Sequence, residues 1–167
     1  MFIRAINPDV AAEIDWVAQG MRATLIEVEG EENGVALYSM DWLRERVKFH
    51  LDPNQAVAKV YLALQDDGQM IGHTIVRKAF NQDGACFGLF STTWVLPAAR
   101  RSGVASQLLA SGEQWMQQQG LPSGATWTSQ TNIKLINLYA RHGYVQVEQG
   151  QHDVTGTVMV KLARQFV

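Results

Sequence analysis

Three consecutive runs in the middle of this chain constrain its fold more than anything else in the sequence. In the first, Val60, Leu62 and Leu64 alternate with Tyr61 and Ala63. The second runs from Met70 to Phe80, and the third, rich in aromatic and β-branched residues, from Cys86 to Val95. A period of two is the signature of a strand, and bulky side chains suit a pleated surface. Asp67-Gly68 and Asn81-Gln82-Asp83-Gly84 separate the runs as hairpin turns. Next comes a segment of helical period, Ser102 to Gln119, with Leu108, Leu109, Gly112, Trp115 and Met116 on one face. Gly120 and Pro122 form its stop signal. Hairpin-linked strands followed by a long amphipathic helix predict a mixed α/β fold, a mixed sheet with helices on it.

The flanks extend this pattern. Phe2 to Ile6 reads as a strand. Asn7 and Pro8 offer an N-cap and first position for a helix that buries Val10, Ile14 and Val17. From Gly20 to Gly34 neither period holds, and the segment carries Glu27, Glu29, Glu31 and Glu32. Ser39 or Asp41 can cap a helix over Trp42 to Leu51, which stops before Pro53. Ala125 to Ser129 is strand-like and Asn132 to His142 helical, with Gly143 as its C-terminal cap. Tyr144 to Val147 and Thr155 to Leu162 are the last strands, with Val158, Val160 and Leu162 on one side. The expected order is β-α-α-β-β-β-α-β-α-β-β. No repeat, low-complexity tract or Pro/Gly-rich linker interrupts it, so residues 1–167 read as one domain.

Composition excludes several classes of function. A net charge of −2 lacks the basic surplus of a general nucleic-acid binder. Cys86 is the lone cysteine, leaving no internal disulfide and no cysteine cluster for a metal. His50, His73, His142 and His152 lack the i, i+4 spacing of a zinc helix, and no metal is expected. Met1-Phe2-Ile3-Arg4 does not open a signal peptide, and no apolar run approaches a membrane span. The expectation is a cytoplasmic protein without nucleic-acid or membrane partners.

Two segments carry chemistry. The first is Val95-Leu96-Pro97-Ala98-Ala99-Arg100-Arg101-Ser102-Gly103-Val104-Ala105, where a strand passes through an Arg- and Gly-bearing turn into a helix. The first turn of a helix has N–H groups without internal acceptors, and the macrodipole adds partial positive charge there. Gly103 and Ala105 let a phosphate approach the backbone, and Arg100 and Arg101 can add charge. Read alone, the turn better fits a solvated connection capped by Ser102. The second segment is Asn132-Ile133-Lys134-Leu135-Ile136-Asn137-Leu138-Tyr139, closed by Gly143-Tyr144. Asn132 and Tyr139 lie seven apart, two helical turns, so they are expected on one face.

The ordered series strand, R-x-x-G-x-A, long helix, strand, N-x-x-x-I-x-L-Y, G-Y resembles the GNAT superfamily of N-acetyltransferases, most closely from Cys86 to Val147. The resemblance implies a GNAT-like central mixed, largely antiparallel sheet of about seven strands flanked by about four helices. It also implies acetyl-CoA as co-substrate, with Arg100, Arg101, Ser102, Gly103, Val104, Ala105 and Ser106 around its pyrophosphate. Thr93, Trp94 and Val95 would hydrogen-bond the pantetheine arm as an added strand, and Asn132 would contact the cofactor. Tyr139 would protonate the leaving thiolate. The second motif glycine is Ala105 here, and Leu135 stands where the family usually has alanine.

The implied reaction is direct acetyl transfer to a primary amine of a small molecule or protein. A strand carboxylate often serves relatives as base, but Cys86 to Val95 contains none. Glu27, Glu29, Glu31, Glu32, Asp41, His73 or a water chain remain open for that role. Four glutamates in the early segment, which forms an acceptor wall in the family, would favour a cationic amine, with Tyr38, Trp42, Trp94 and Trp127 as pocket residues. Cys86 has no activating arrangement that would make it a nucleophile. The alternative is a non-catalytic acyl-CoA-binding sensor, which would keep the turn and dispense with Tyr139. The final strands leave edges that relatives use for homodimers.

Overall fold

The computed structural model describes residues 1–167. Seven strands form one sheet: β1 (Phe2–Ala5), β2 (Ala58–Leu64), β3 (Met70–Phe80), β4 (Cys86–Val95), β5 (Ser123–Ser129), β6 (Val145–Gln151) and β7 (Val158–Gln165). Five helices accompany them: α1 (Ala11–Glu29), α2 (Glu31–Leu37), α3 (Met40–Leu51), α4 (Val104–Gln118) and α5 (Ile133–Arg141). The sheet order is β1-β2-β3-β4-β5-β7-β6. Every neighbouring pair is antiparallel except β4 and β5, which the α4 crossover makes parallel.

The hydrophobic stripes decide the layers. Ile14, Val17 and Ala18 of α1 and Leu43 and Val47 of α3 bury against Val60, Leu62 and Ile75 on one face. On the other, Leu109, Trp115 and Met116 of α4 and Tyr139 of α5 enclose Val76, Phe90, Val160 and Leu162. Val104 and Leu108 of α4 close a third cluster with Ala63, Ile71 and Val95. No helix is long and apolar enough to cross a membrane.

Three sequence expectations change at the N-terminal half. Asn7 does not cap the first helix; its side chain accepts from the Asp9 N–H at 3.0 Å, folding a local turn instead. The helix starts at Ala11, with Val10 as an N-cap that makes no side-chain bond. Between Gly20 and Gly34, which matched neither period, the chain is almost wholly helical. Gly20 is a contact point rather than a breaker: a Cβ there would stand 2.8 Å from His73 Cε1 and 3.0 Å from Trp94 Cε3. This close approach to the sheet explains a glycine inside a long helix. The extra α2 gives five helices where about four were expected. Ser39, not Asp41, caps α3, accepting from the Trp42 N–H at 3.0 Å.

Candidate active site

The site begins as a defect in the sheet. Along β3, Ile75 pairs with Thr92 and Val76 with Phe90, so Ser91 is the extra residue of a β-bulge in β4. Bulged strands bend and twist more strongly. On its other side β4 pairs with β5 only at Gly88–Gly124, Leu89–Ala125 and Phe90–Thr126. Beyond that point the two strands part, and a cleft of about 930 Å³ is lined by both of them, α4, α5 and the α1–α3 wall.

Thr93, Trp94 and Val95 line this cleft on the freed edge of β4. Thr93 shares a hydrogen bond with the Thr74 hydroxyl at 2.7 Å, which fixes it from the sheet side. Trp94 packs against Trp16 with ring centroids 5.7 Å apart, and its buried indole N–H has no partner.

After Val95 a single 3₁₀ turn (Pro97–Ala99) leads to α4. Arg101 takes φ +66° and Gly103 φ +83°, two left-handed residues that point successive amides outward. No backbone N–H from Arg101 through Ser106 donates within the chain. Ser102 does not cap the helix; its hydroxyl turns back to donate to the Ala99 carbonyl at 2.6 Å. The N-cap position is Gly103, without a side-chain bond. A row of free amides at a helix N-terminus is an anion cradle. His142 Nε2 and Ser106 Oγ share a hydrogen bond at 3.1 Å, tying the end of α5 to this turn.

The two arginines of the turn separate in role. Arg100 donates through Nε to the Val95 carbonyl at 2.9 Å and through Nη2 to Glu27, so its charge is already engaged. Arg101 is exposed and forms no ion pair. Lys134 and Arg141 of α5 line the same cleft, adding positive charge.

Asn132 and Tyr139 differ in setting, Asn132 standing at the start of α5 and Tyr139 buried within it. Asn132 lies outside the helix as the N-cap of α5: Oδ1 accepts from the Leu135 N–H at 3.4 Å and its amide donates to Thr128 Oγ1 at 3.2 Å. Both residues nonetheless line the cleft. Tyr139 is 2% exposed, set edge-on against Phe90 (5.8 Å) and Tyr144 (4.9 Å). Burial pushes its phenol pKa well above the ordinary tyrosine value, while hydrogen bonding with Thr126 and Thr93 partly opposes the shift. The phenol therefore keeps its proton throughout the neutral range.

The carboxylates considered as bases are scattered. Glu27 is paired with Arg100, and Glu29 accepts the Thr157 hydroxyl proton at 2.9 Å; both line the cleft. Glu31 and Glu32 are exposed on α2 and do not line it, and Asp41 pairs with Arg44 at 3.0 Å. His73 is fully buried away from the cleft, both ring nitrogens without partners, and burial pushes its pKa down to about 3. Cys86 also stands outside it. Residues that sequence reasoning passed over include Thr126 and Thr128, which face Tyr139 and Asn132, and Arg46, His50 and Arg77 on the α3–β3 wall. The four-residue spacing of Trp42, Arg46 and His50 was the readable signal for the last group.

The sequence model of the acetyltransferase (GNAT) family matches residues 23–144. No curated protein sequence matches the chain. Among solved structures, it resembles a ribosomal-protein-alanine N-acetyltransferase from Brucella melitensis with a TM-score of 0.76 at 13% identity, over 99% of this chain and all of the other. An aminoglycoside 6'-N-acetyltransferase complexed with coenzyme A gives 0.76 at 15% identity, over 100% of this chain and 98% of that one. A chain of the NatC complex bound to Gag peptide and CoA gives 0.78 at 15% identity, over 99% and 98%. At these identities the structural likeness speaks for the fold.

Proposed function

The chain belongs to the acetyltransferase (GNAT) family, and we propose that it transfers an acetyl group from acetyl-CoA directly to a primary amine of a small molecule or protein. The observation that carries this reading is the run of unpaired amides from Arg101 to Ser106 at the mouth of the β4–β5 cleft.

Those residues suit a pyrophosphate. The amides of Arg101 through Ser106 would hold its oxygens, the α4 dipole favours the charge, and Arg101, Lys134 and Arg141 add to the field. The freed edge at Thr93, Trp94 and Val95 suits the amide-bearing arm, which would pair with it as an extra strand. Asn132, held by Thr128, stands beside that arm. Acetyl-CoA supplies a thioester-activated acetyl group. Backbone N–H groups on the open edge of β4 polarise the carbonyl, and they need no reorganisation because the sheet holds them. Tyr139 donates its phenolic proton to the departing sulfur, its ring held edge-on by Phe90 and Tyr144. The amine proton leaves along the open cleft to solvent, since Glu27 and Glu29 are both engaged, and the Tyr139 phenolate is reprotonated by the same route.

Calorimetric titration with acetyl-CoA, followed by a thiol-release screen over a panel of amines, tests this. The expected outcome is binding together with acceptor-dependent release. Binding with no release from any amine would assign the chain to the non-catalytic sensor class instead.

A further inference from the structure

We propose that the cleft wall built by α3 and β3 holds a carboxylate carried by the acceptor amine, so that the acceptor is of the amino-acid class. The proposal rests on the acetyl-transfer reading and names the substrate chemistry of that same cleft.

Trp42, Arg46 and His50 follow one another at intervals of four along α3 and line the cleft as one stripe. Arg77 joins them from β3, where its Nε donates to Ser91 Oγ in the bulge at 3.2 Å. Neither Arg46 nor Arg77 forms an ion pair. Arg46 instead lies over the Phe49 ring at 4.4 Å, and its guanidinium makes no hydrogen bond within the chain. The two carboxylates of the cleft, Glu27 and Glu29, are held by Arg100 and Thr157. Two half-buried cations thus stand together with no counter-charge.

This arrangement is costly without a ligand. Burial lowers the Arg77 pKa, and the neighbouring Arg46 charge lowers it further. His50 is 3% exposed; burial pushes its pKa down to about 4, with Arg46 and Arg77 adding to the fall. An anion between the arginines relieves the repulsion and offers the bidentate geometry that guanidinium groups favour. His50 Nδ1 donates to the Arg46 carbonyl at 2.9 Å, so neutral His50 presents a lone pair at Nε2, which is buried and without a partner. A ligand that carries both an anionic group and a nearby N–H donor satisfies all three residues. An amino acid has both. Tyr38 and Trp42, stacked at 4.1 Å on the same wall, provide a flat apolar surface for its side chain. The glutamates that pointed to a cationic acceptor are either engaged or outside this wall.

The test offers each amino acid beside its own carboxamide, with saturating acetyl-CoA, and follows thiol release. The amide's amine is the less basic and chemically the readier nucleophile at neutral pH. Preference for the acid of at least tenfold in kcat/KM, expressed in KM, is the expected result. In Arg46→Gln and Arg77→Gln the KM for the acid should rise at least tenfold while calorimetric acetyl-CoA affinity holds. Equal use of acid and amide, preference for cationic amines, or loss of acetyl-CoA affinity in these variants overturns the proposal. A second readout needs no turnover: the N-acetylated amino acid, titrated onto CoA-loaded protein, should bind at least tenfold tighter than its carboxamide. Equal binding overturns the carboxylate site. Tighter binding of the acid with no thiol release from any amine would sustain the site and overturn acetyl transfer instead.

Discussion

Phe90 and Thr126 are the last pair of the parallel ladder between β4 and β5, and the Thr126 hydroxyl donates to the Phe90 carbonyl at 3.1 Å across it. One residue later Ser91 bulges from β4. The clamp holds the strands together up to Phe90, and the bulge bends β4 away after it. Thr126 also lines the cleft together with Tyr139. The sheet defect and the proposed proton donor thus meet in one cleft.

Thr126→Val removes the clamp while keeping a β-branched side chain of similar size. Loss of one buried hydrogen bond should lower stability by about 1 kcal/mol, read by urea denaturation. Turnover should fall at least fivefold through misplacement of Tyr139. Unchanged turnover would separate the clamp from the chemistry.

Tyr139→Phe keeps the ring between Phe90 and Tyr144 and removes the proton donor. The expected loss in kcat is about 100-fold, the lower end of general acid contributions. Acetyl-CoA affinity, measured by calorimetry, should stay within about twofold, since the ring touches the core and not the α4 turn. Unimpaired turnover would remove Tyr139 from the mechanism.

Glu27→Gln releases Arg100 beside the proposed anion cradle. The pair is partly exposed, so its loss should change stability by no more than about 1 kcal/mol. Acetyl-CoA binding should tighten several-fold at low salt, with the gain shrinking as ionic strength rises. Weaker binding would mean that Glu27 positions Arg100 for the phosphate rather than neutralising it.

His73 predicts acid sensitivity. Its folded pKa is depressed to about 3, so below the unfolded value, about 6.5, the unfolded chain binds a proton that the folded chain refuses. Stability should therefore fall with pH from about 6.5 down to about 3 and then level off. His73→Leu should flatten that slope by several tenths of a kcal/mol per pH unit or more, with stability at pH 7 held within about 1 kcal/mol. An unaltered slope would place the acid sensitivity elsewhere.

Much of the fold was legible in the chain. The strands Met70–Phe80 and Cys86–Val95 form with the expected bounds, because alternation and turn residues agree there. The α1–α2 region was not legible. Gly20 reads as a break from local propensity, whereas its meaning is a 2.8 Å approach to His73 across the layers. Pairing partners for Arg100, Glu27 and Asn132 are equally invisible from sequence, since they join elements far apart along the chain or depend on cap geometry.

The sequence alone determined the sheet-with-helices class, the order of the strands and the place of the Arg- and Gly-bearing turn ahead of α4, because these follow from periodicity and from local residue types. Only the tertiary structure decided where the sheet opens, which arginine of the turn is without an ion pair, and which charges line the cleft. Those depend on one bulge at Ser91 and on contacts between α1, α3 and β3. Electrostatic character at a site is a sum over neighbours in space, and a linear chain does not specify its neighbours until it folds.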